Sequence, residues 1–213
     1  WEMPSGKQVQ IQSCRLISFE HRHLAAISYR VTLLNAQAPV TIASHLVPNS
    51  QSAASHAGQA IAAQSMDPRR RQLSDQVLVP EECDFEDNRI LLGLTTRRSQ
   101  MTLACGIDHQ ILTQCKYSTE TECVEGRGKV VYSVDAQPGE AIHLYKFIAY
   151  HTSRSAPVQE LMDRGHQTMG RGMQAGFDAL LKSQREYVGD FWKRSDITAE
   201  DDGKGTHVGM VQQ

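Results

Sequence analysis

Long apolar runs and a surplus of charge of either sign are both missing from this sequence. No segment approaches the ~18 consecutive apolar residues that a membrane-spanning helix needs. Acidic and basic residues nearly balance at a formal net charge of -2, so no basic field points to nucleic acid or anionic lipid. We therefore expect a globular protein of 213 residues whose partners include neither a membrane nor a nucleic acid.

Cysteine occurs without the spacings of a metal site or of a disulfide scaffold. The five cysteines cannot all pair within one chain, and no C-x-x-C occurs among them. We predict that they are reduced thiols in a cytoplasmic protein, because disulfides are rare in that compartment. The residues concerned are Cys14, Cys83, Cys105, Cys115 and Cys123.

The common sequence motifs of catalysis are also absent: there is no G-x-S-x-G, P-loop, G-x-G-x-x-G or H-E-x-x-H. His21 and His23 could hold a metal ion, but no third ligand is near, so a polar turn before a strand is the stronger interpretation. Asp108 and His109 beside Cys105 suggest a catalytic pair. Alternation along a strand, however, sends neighbouring side chains to opposite faces.

What is present is a strand-like alternation of apolar and polar residues up to about residue 150. It is clearest from Ala25 to Leu33 and resumes from Val40 to Leu46, which predicts a hairpin. The apolar phase slips near Ser13, which predicts a β-bulge. At least eight short strands without an intervening helix indicate a mainly β fold, a large antiparallel β-sandwich. The further strand signals lie at 90–94, 101–105, 107–112, 130–134 and 142–150.

Residues 48–76 interrupt the strands with a long polar segment that contains the basic run Arg69–Arg71. Loops of this length are uncommon inside compact domains. We predict a mobile, solvated insertion that proteases cut first near the arginines. Binding of phosphate or sulfate groups by these arginines is the alternative interpretation.

From Ser155 the apolar period becomes helical. Ser155 is placed to cap a helix with Pro157 in its first turn. A second helix follows over about 174–192, and its apolar residues cover more than one face. We expect the excess apolar surface to drive self-association or to make this helix fold back onto the sandwich. Three glycines predict a break within the first helix: Gly165, Gly170 and Gly172.

Short segments along the chain resemble, in the same order, the N-terminal part of glycoside hydrolase family 65. The opening Trp1–Gly6 is similar to a W-x-x-P-x-G turn of that family, and Arg15–Ser18 with His23–Ile27 resembles the strand pair that follows. The collinear set, rather than any one motif, identifies the family. The later matches are Ser44–Val47, Asp67–Arg69, Thr95 with Ser99, Tyr145–Ser153, Gly176–Leu181 and Trp192–Ile197.

The resemblance implies a super-sandwich over residues 1–154, linker helices over 155–195 and the start of an α/α-barrel catalytic domain over 196–213. Family members are mostly inverting phosphorylases of α-glucosides such as maltose, trehalose or kojibiose, and some are hydrolases. Their catalytic glutamate and phosphate-binding residues lie in the barrel, and no residue of this chain matches that motif. The lack of a Met or signal peptide before Trp1 likewise predicts a piece of a longer protein; processed leading residues are the alternative.

Carboxylates matter for this resemblance, because glycoside cleavage commonly uses a pair of them. One acidic cluster lies at Glu81–Asp87 and another at Glu200–Asp202. Both have polar neighbours instead of the apolar ones that raise the pKa of a general acid, so we predict solvated loops. We therefore assign no catalytic and no metal-binding residue, and leave the substrate-binding residues unassigned.

The resemblance implies a non-catalytic domain that is inactive by itself, braces the barrel and frames its substrate site. The expected partners are its own barrel, an α-linked glucose disaccharide and a second copy in a homodimer. No cofactor is expected, with inorganic phosphate as co-substrate if the parent is a phosphorylase. The alternatives are a free-standing carbohydrate-binding module, which 6% aromatic residues disfavour, and an interaction domain beside an unrelated catalytic unit such as a sugar phosphatase.

Overall fold

The computed structural model describes residues 1–48, 77–124 and 126–195. Residues 49–76 of the predicted mobile loop, the predicted start of the barrel at 196–213 and its acidic cluster lie outside these ranges. Within them the chain forms nine β-strands followed by two α-helices. No helix of the described part is both long and apolar enough to cross a membrane.

The strands form two antiparallel sheets that pack face to face. The larger sheet has the order β1-β2-β9-β6-β5-β4 and the smaller one β3-β8-β7. Alternate apolar side chains of both sheets meet in a common core, which is the antiparallel sandwich predicted from the sequence. The strands are β1 (Val9–Ile17), β2 (Leu24–Leu33), β3 (Ala38–Leu46), β4 (Leu78–Glu86), β5 (Arg89–Thr96), β6 (Thr102–Leu112), β7 (Tyr117–Val124), β8 (Arg127–Ala136) and β9 (Ala141–Ser153).

Two helices cover the outer face of the larger sheet, so the described chain has three layers. α1 (Val158–Ala175) lies across β5, β6 and β9, and α2 (Phe177–Ser195) touches β1 and β2. Each fully buried aliphatic side chain contributes about 1.5–3 kcal/mol to the stability of this interface. The helices bury Leu161, Met162, Met169, Phe177 and Leu180 against Leu16, Leu24, Leu91, Ala104 and Phe147.

The bulge predicted near Ser13 is wrong, because β1 pairs with β2 in an unbroken register along its whole length. The apolar phase slips for another reason. Val9 and Ile11 pack against the inter-sheet core, whereas Leu16 packs on the opposite face beneath α2. One regular strand thus serves two cores in succession.

The hairpin predicted from β2 and β3 is also wrong. β2 lies between β1 and β9 in the larger sheet, and β3 pairs with β8 in the smaller one. Their connection is tied to the N-terminal turn by Asn35, which accepts from the N–H of Gln8 at 2.9 Å and donates to the carbonyl of Gly6 at 2.8 Å. Alternation does not separate a hairpin from a crossing between sheets, because in both cases the apolar faces point into one core.

The acidic cluster Glu81–Asp87 is mostly an edge strand and not the predicted loop. β4 pairs with β5, with a register shift between Pro80 and Glu82. Its acidic side chains are exposed because β4 is the outermost strand of the larger sheet. Charge on such a strand discourages pairing with other chains. β7, outermost in the smaller sheet, escaped prediction for the same reason, since five of its eight residues are exposed and the other three are only partly buried.

The break predicted within the first helix is wrong, since α1 is continuous from Val158 to Ala175. Two of its glycines let the helix approach the sheet closely. A Cβ on Gly165 would lie 3.0 Å from Leu91, and one on Gly172 would lie 2.9 Å from Leu24. Gly106 allows the same close approach from the side of the sheet, because a Cβ there would lie 2.7 Å from Met169 of α1. The two strands predicted at 101–105 and 107–112 are one strand, β6, which continues through this glycine.

The ends of α1 also differ from the prediction. Pro157 is its N-cap residue, and Ser155 does not cap the helix. The hydroxyl of Ser153 instead holds the turn before the helix, where it accepts from the N–H groups of Ser155 at 3.1 Å and Ala156 at 2.9 Å. The helical path breaks only at Gly176, whose φ of 78° lies in the left-handed region that favours glycine.

Valine substitutions at two glycines of α1 test this packing. Gly172→Val should lower the free energy of unfolding by about 1–3 kcal/mol, because its side chain would overlap Leu24 and Phe147. Gly170→Val is the control: nothing lies within 4 Å of its Cβ position, and valine is the better helix former. Denaturant unfolding measures both. Equal losses at the two positions would mean that α1 does not lie on the sheet in this orientation.

The prediction of five unpaired cysteines is wrong for two of them. Cys83 of β4 and Cys123 of β7 form a disulfide that links the two sheets. Their Cα atoms lie 6.9 Å apart across a sequence separation of 40 residues. Spacing in the sequence could not reveal this pair, because it depends on two edge strands lying on the same side of the sandwich. The free cysteines are Cys14, which is exposed, and Cys105 and Cys115, which are buried.

Candidate functional sites

A cleft of about 450 Å³ separates the turn between β1 and β2 from α1. The turn confirms the interpretation of His21 and His23 as polar turn residues. The hydroxyl of Ser18 accepts from the N–H of His21 at 2.9 Å, and Nδ1 of His23 donates to the carbonyl of Tyr150 at 3.0 Å. The cleft is lined by Glu20, His21, Arg22, His23, Leu24, Thr168 and Arg171.

A chain of hydrogen bonds holds the helical wall of this cleft. Arg171 donates to the hydroxyl of Thr168 at 3.1 Å, and that hydroxyl is also hydrogen-bonded to Nε2 of His151 at 2.9 Å. The His151 ring is buried and stacks on His23 with a centroid separation of 4.4 Å. Burial and then the charges of His23, Arg164 and Arg171 lower the pKa of His151 to about 4. The His151 ring is therefore neutral near pH 7.

The histidines of the cleft do not assemble a metal centre in the described part of the chain. No group of three His, Cys, Asp or Glu side chains that could hold a metal ion occurs there. His23 has already committed Nδ1 to a carbonyl. The guanidinium and imidazole groups of the cleft instead suit an anionic ligand.

Asp108 and His109 point to opposite faces of β6, as strand alternation predicts. Asp108 accepts from two nitrogens of Arg89 at 2.8 and 2.7 Å. His109 lies between the sheets, where Nδ1 donates to the carbonyl of Asn88 at 2.8 Å and Nε2 accepts from the hydroxyl of Ser44 at 2.7 Å. Burial lowers the pKa of His109 to about 4, so its ring is neutral. Both residues join neighbouring elements, and they do not form a catalytic pair.

A groove of about 580 Å³ opens between the outermost strands β1 and β3 of the two sheets. Lys146 lines it and donates to the carbonyl of His45 at 3.2 Å, and burial lowers the pKa of this lysine. Tyr29 is the one Phe, Tyr or Trp among the described lining residues. Most of the lining is apolar, with side chains such as Val9, Ile11, Val40 and Ile42.

The first half of α2 is anchored to the sandwich by the same turn that borders the cleft. Ser183 donates to the carboxylate of Glu20, and Gln184 accepts from the N–H of Phe19 at 2.9 Å. The Phe19 ring also packs on Tyr187, with centroids 5.4 Å apart. These contacts place the start of α2, but they end at its third turn.

The second half of α2 leaves the sandwich and carries exposed aromatic side chains. Phe191 is 48% exposed and Trp192 is 56% exposed. Their rings pack edge to face, with centroids 5.3 Å apart. Such adjacent large apolar side chains on a helix end mark an interaction surface more often than a solvated one.

The fold is similar to that of a putative kojibiose phosphorylase from the human microbiome. The two structures superpose with a TM-score of 0.70 over 88% of this chain and 22% of that chain, at 12% sequence identity. At this identity the likeness concerns the fold alone. It identifies the fold class as an antiparallel β-sandwich followed by α-helices.

The sequence also matches the profile "Glycosyl hydrolase family 65, N-terminal domain" over residues 1–191. The chain therefore belongs to this family, which confirms the resemblance seen in its motifs. An uncharacterized glycosyl hydrolase of Mycobacterium tuberculosis is 29% identical over 95% of the chain. An α,α-trehalose phosphorylase of Thermoanaerobacter brockii is 26% identical over the same share. The chain spans about a quarter of the length of these relatives.

Proposed function

We propose that this chain is the non-catalytic N-terminal domain of a longer α-glucoside phosphorylase or hydrolase, in which it braces the catalytic domain. The observation that carries the proposal is its match to the family's N-terminal domain over residues 1–191, within a chain a quarter as long as its relatives. An α-linked glucose disaccharide would be the substrate, and phosphate the co-substrate if the parent is a phosphorylase.

The carboxylates of the described chain support a non-catalytic role. Asp108 is tied to Arg89, and Asp84 is paired with His166 at 2.9 Å. The remaining acidic residues of β4 are exposed on an edge strand. An inverting glycosidase needs two carboxyl groups facing each other across a sugar, one of them in surroundings that raise its pKa. The cleft beside α1 is lined by one carboxylate, that of Glu20, and the groove between β1 and β3 by none.

The exposed end of α2 is the surface that would contact the catalytic domain. Its first half is fixed to the sandwich, so the second half projects in a defined direction with Phe191 and Trp192 uncovered. Aromatic side chains are favoured at the centres of protein interfaces. The turn between β1 and β2, which lies beside α2, would then be close to the junction with the catalytic domain. From there it would frame the substrate site.

A free-standing carbohydrate-binding module is the second candidate, and the inter-sheet groove is where it would bind sugar. Sugar-binding sites usually present aromatic rings to pyranose faces, whereas Tyr29 alone supplies such a ring among the described lining residues. The surface that lines the groove is also mostly apolar, whereas a sugar presents many hydroxyl groups. The groove therefore supports this candidate less than the family match supports a bracing domain.

The purified 213-residue chain should release no glucose from maltose, trehalose or kojibiose, with or without phosphate. Its complete reading frame should do so if the proposal is right. A coupled glucose assay measures both. Phosphate-dependent turnover by the 213-residue chain alone would overturn the non-catalytic role.

The bracing surface is tested in the complete enzyme by the double substitution Phe191→Ser and Trp192→Ser. If the catalytic domain covers these rings, the variant should unfold at a lower temperature and lose activity. Lys182→Ser with Arg185→Ser is the control, because these exposed residues lie on the anchored part of the same helix. A double aromatic variant as stable and active as the wild type would place the interface elsewhere.

A further inference from the structure

We propose that the cleft between the β1–β2 turn and α1 binds a small molecule bearing a phosphate group. The phosphate would lie between Arg22 and Arg171, with the imidazoles of His21 and His23 beside it. This site is separate from the bracing role proposed above and does not depend on it.

The charge balance of the cleft is the first argument. Arg22 and Arg171 both line it, and no carboxylate of the described residues forms an ion pair with either one. Glu20 is the one acidic lining residue, so it offsets only one of the two guanidinium charges. Two guanidinium groups sharing a cleft repel each other, and an anion between them removes that repulsion.

The fixed geometry of the cleft is the second argument. Arg171 is oriented by its bond to Thr168, which is buried and itself held by His151. Only one nitrogen of the Arg171 guanidinium is used in that bond, so its other N–H groups stay available. On the opposite wall, His23 is held by the Tyr150 carbonyl and by stacking, in a left-handed backbone conformation. Arg171 and His23 are thus positioned before any ligand arrives, which lowers the entropy lost on binding.

The chemistry of the lining favours a phosphomonoester over a carboxylate. Two guanidinium groups supply many N–H donors, which match the three acceptor oxygens of a phosphate group. A carboxylate would offer the same donors only two oxygens. The volume of about 450 Å³ lies in the range of small-molecule sites and exceeds the need of a bare phosphate ion. Glu20 at the rim would accept hydrogen bonds from hydroxyl groups on the organic part.

Calorimetric titration of the 213-residue chain with inorganic phosphate and with glycerol 3-phosphate tests the site. Both should bind saturably at a constant ionic strength set by sodium chloride, and the ester should bind more tightly. Arg22→Gln and Arg171→Gln should each weaken binding about tenfold or more, as expected for the loss of a charge-assisted hydrogen bond. Arg185→Gln, on the exposed face of α2, should bind as the wild type does.

Arg22→Gln guards against a folding artefact, because Arg22 is exposed in the turn whereas Arg171 helps to orient Thr168. Unchanged affinity in both cleft variants would overturn the proposal. The proposal would also be overturned if the heats measured on injecting phosphate matched those measured on injecting sodium chloride alone. Equal affinity for phosphate and glycerol 3-phosphate would overturn the part that assigns an organic body to the ligand.

Discussion

Replacing Cys83 and Cys123 with serine should lower the free energy of unfolding by about 4 kcal/mol, the loop-closure value for residues 40 apart. The disulfide joins β4 and β7, the outermost strands of the two sheets on one side of the sandwich. Without it, the unfolded chain gains conformational freedom and the two edges are joined only by packing. Denaturant unfolding of the oxidised wild type and the double variant measures the loss.

Thiol titration of the oxidised, denatured protein without reductant shows whether the Cys83–Cys123 disulfide is present or whether all five cysteines are reduced, as their spacing predicted. Three free thiols are expected, from Cys14, Cys105 and Cys115, in place of five. Cys14→Ser is the control for stability, because Cys14 is exposed and unpaired, and it should unfold like the wild type. Five free thiols, together with an unchanged stability of the double variant, would show that the sheets are not linked.

The sandwich could be predicted from the sequence because most strands have one buried and one polar face. β8 shows this directly, since buried positions alternate along it with partly buried or exposed ones. Edge strands lack that signal. β4 buries almost nothing, so its glutamates and aspartates looked like a loop. Burial makes strands recognisable, and outermost strands have little of it.

The bulge in β1 and the break in α1 were predicted wrongly because both features depend on residues far away in the sequence. The apolar residues of β1 change face because α2 covers only its second half. Gly165 and Gly172 lie in an unbroken helix because Leu91 and Leu24 occupy the space that a side chain would need. Local propensity disfavours glycine in a helix, and close packing on the sheet outweighs it here.

The candidate cleft could be predicted only in part. His21 and His23 stood out in the sequence, and the turn was expected. Arg171 did not stand out, because nothing in a helical sequence shows that one arginine lies over a turn nearly 150 residues earlier. A signal was nevertheless present: Thr168 and Arg171 are spaced i, i+3, so they share a helix face. His151 completes the set only through the pairing of β9 with β2.

Leu180→Glu should lower the melting temperature by roughly 10 °C, which corresponds to about 3–5 kcal/mol for a chain of this size. Leu180 is 1% exposed and packs with Leu16, Leu24, Ala26, Phe147 and Phe177. The side chains of that cluster are apolar, so a carboxylate there would lose its hydration without gaining hydrogen bonds from them. Leu181→Glu is the matched control, because Leu181 is only partly buried and a carboxylate at that position can reach water.

These two variants distinguish the two outcomes expected for the apolar stripe of this helix. A helix docked on its own sandwich makes Leu180→Glu much less stable than Leu181→Glu, whereas a helix that mediates self-association makes both variants monomeric at unchanged stability. Thermal unfolding and sedimentation velocity give the two readings. The structure requires the first result, and monomeric variants that both melt like the wild type would contradict the placement of α2.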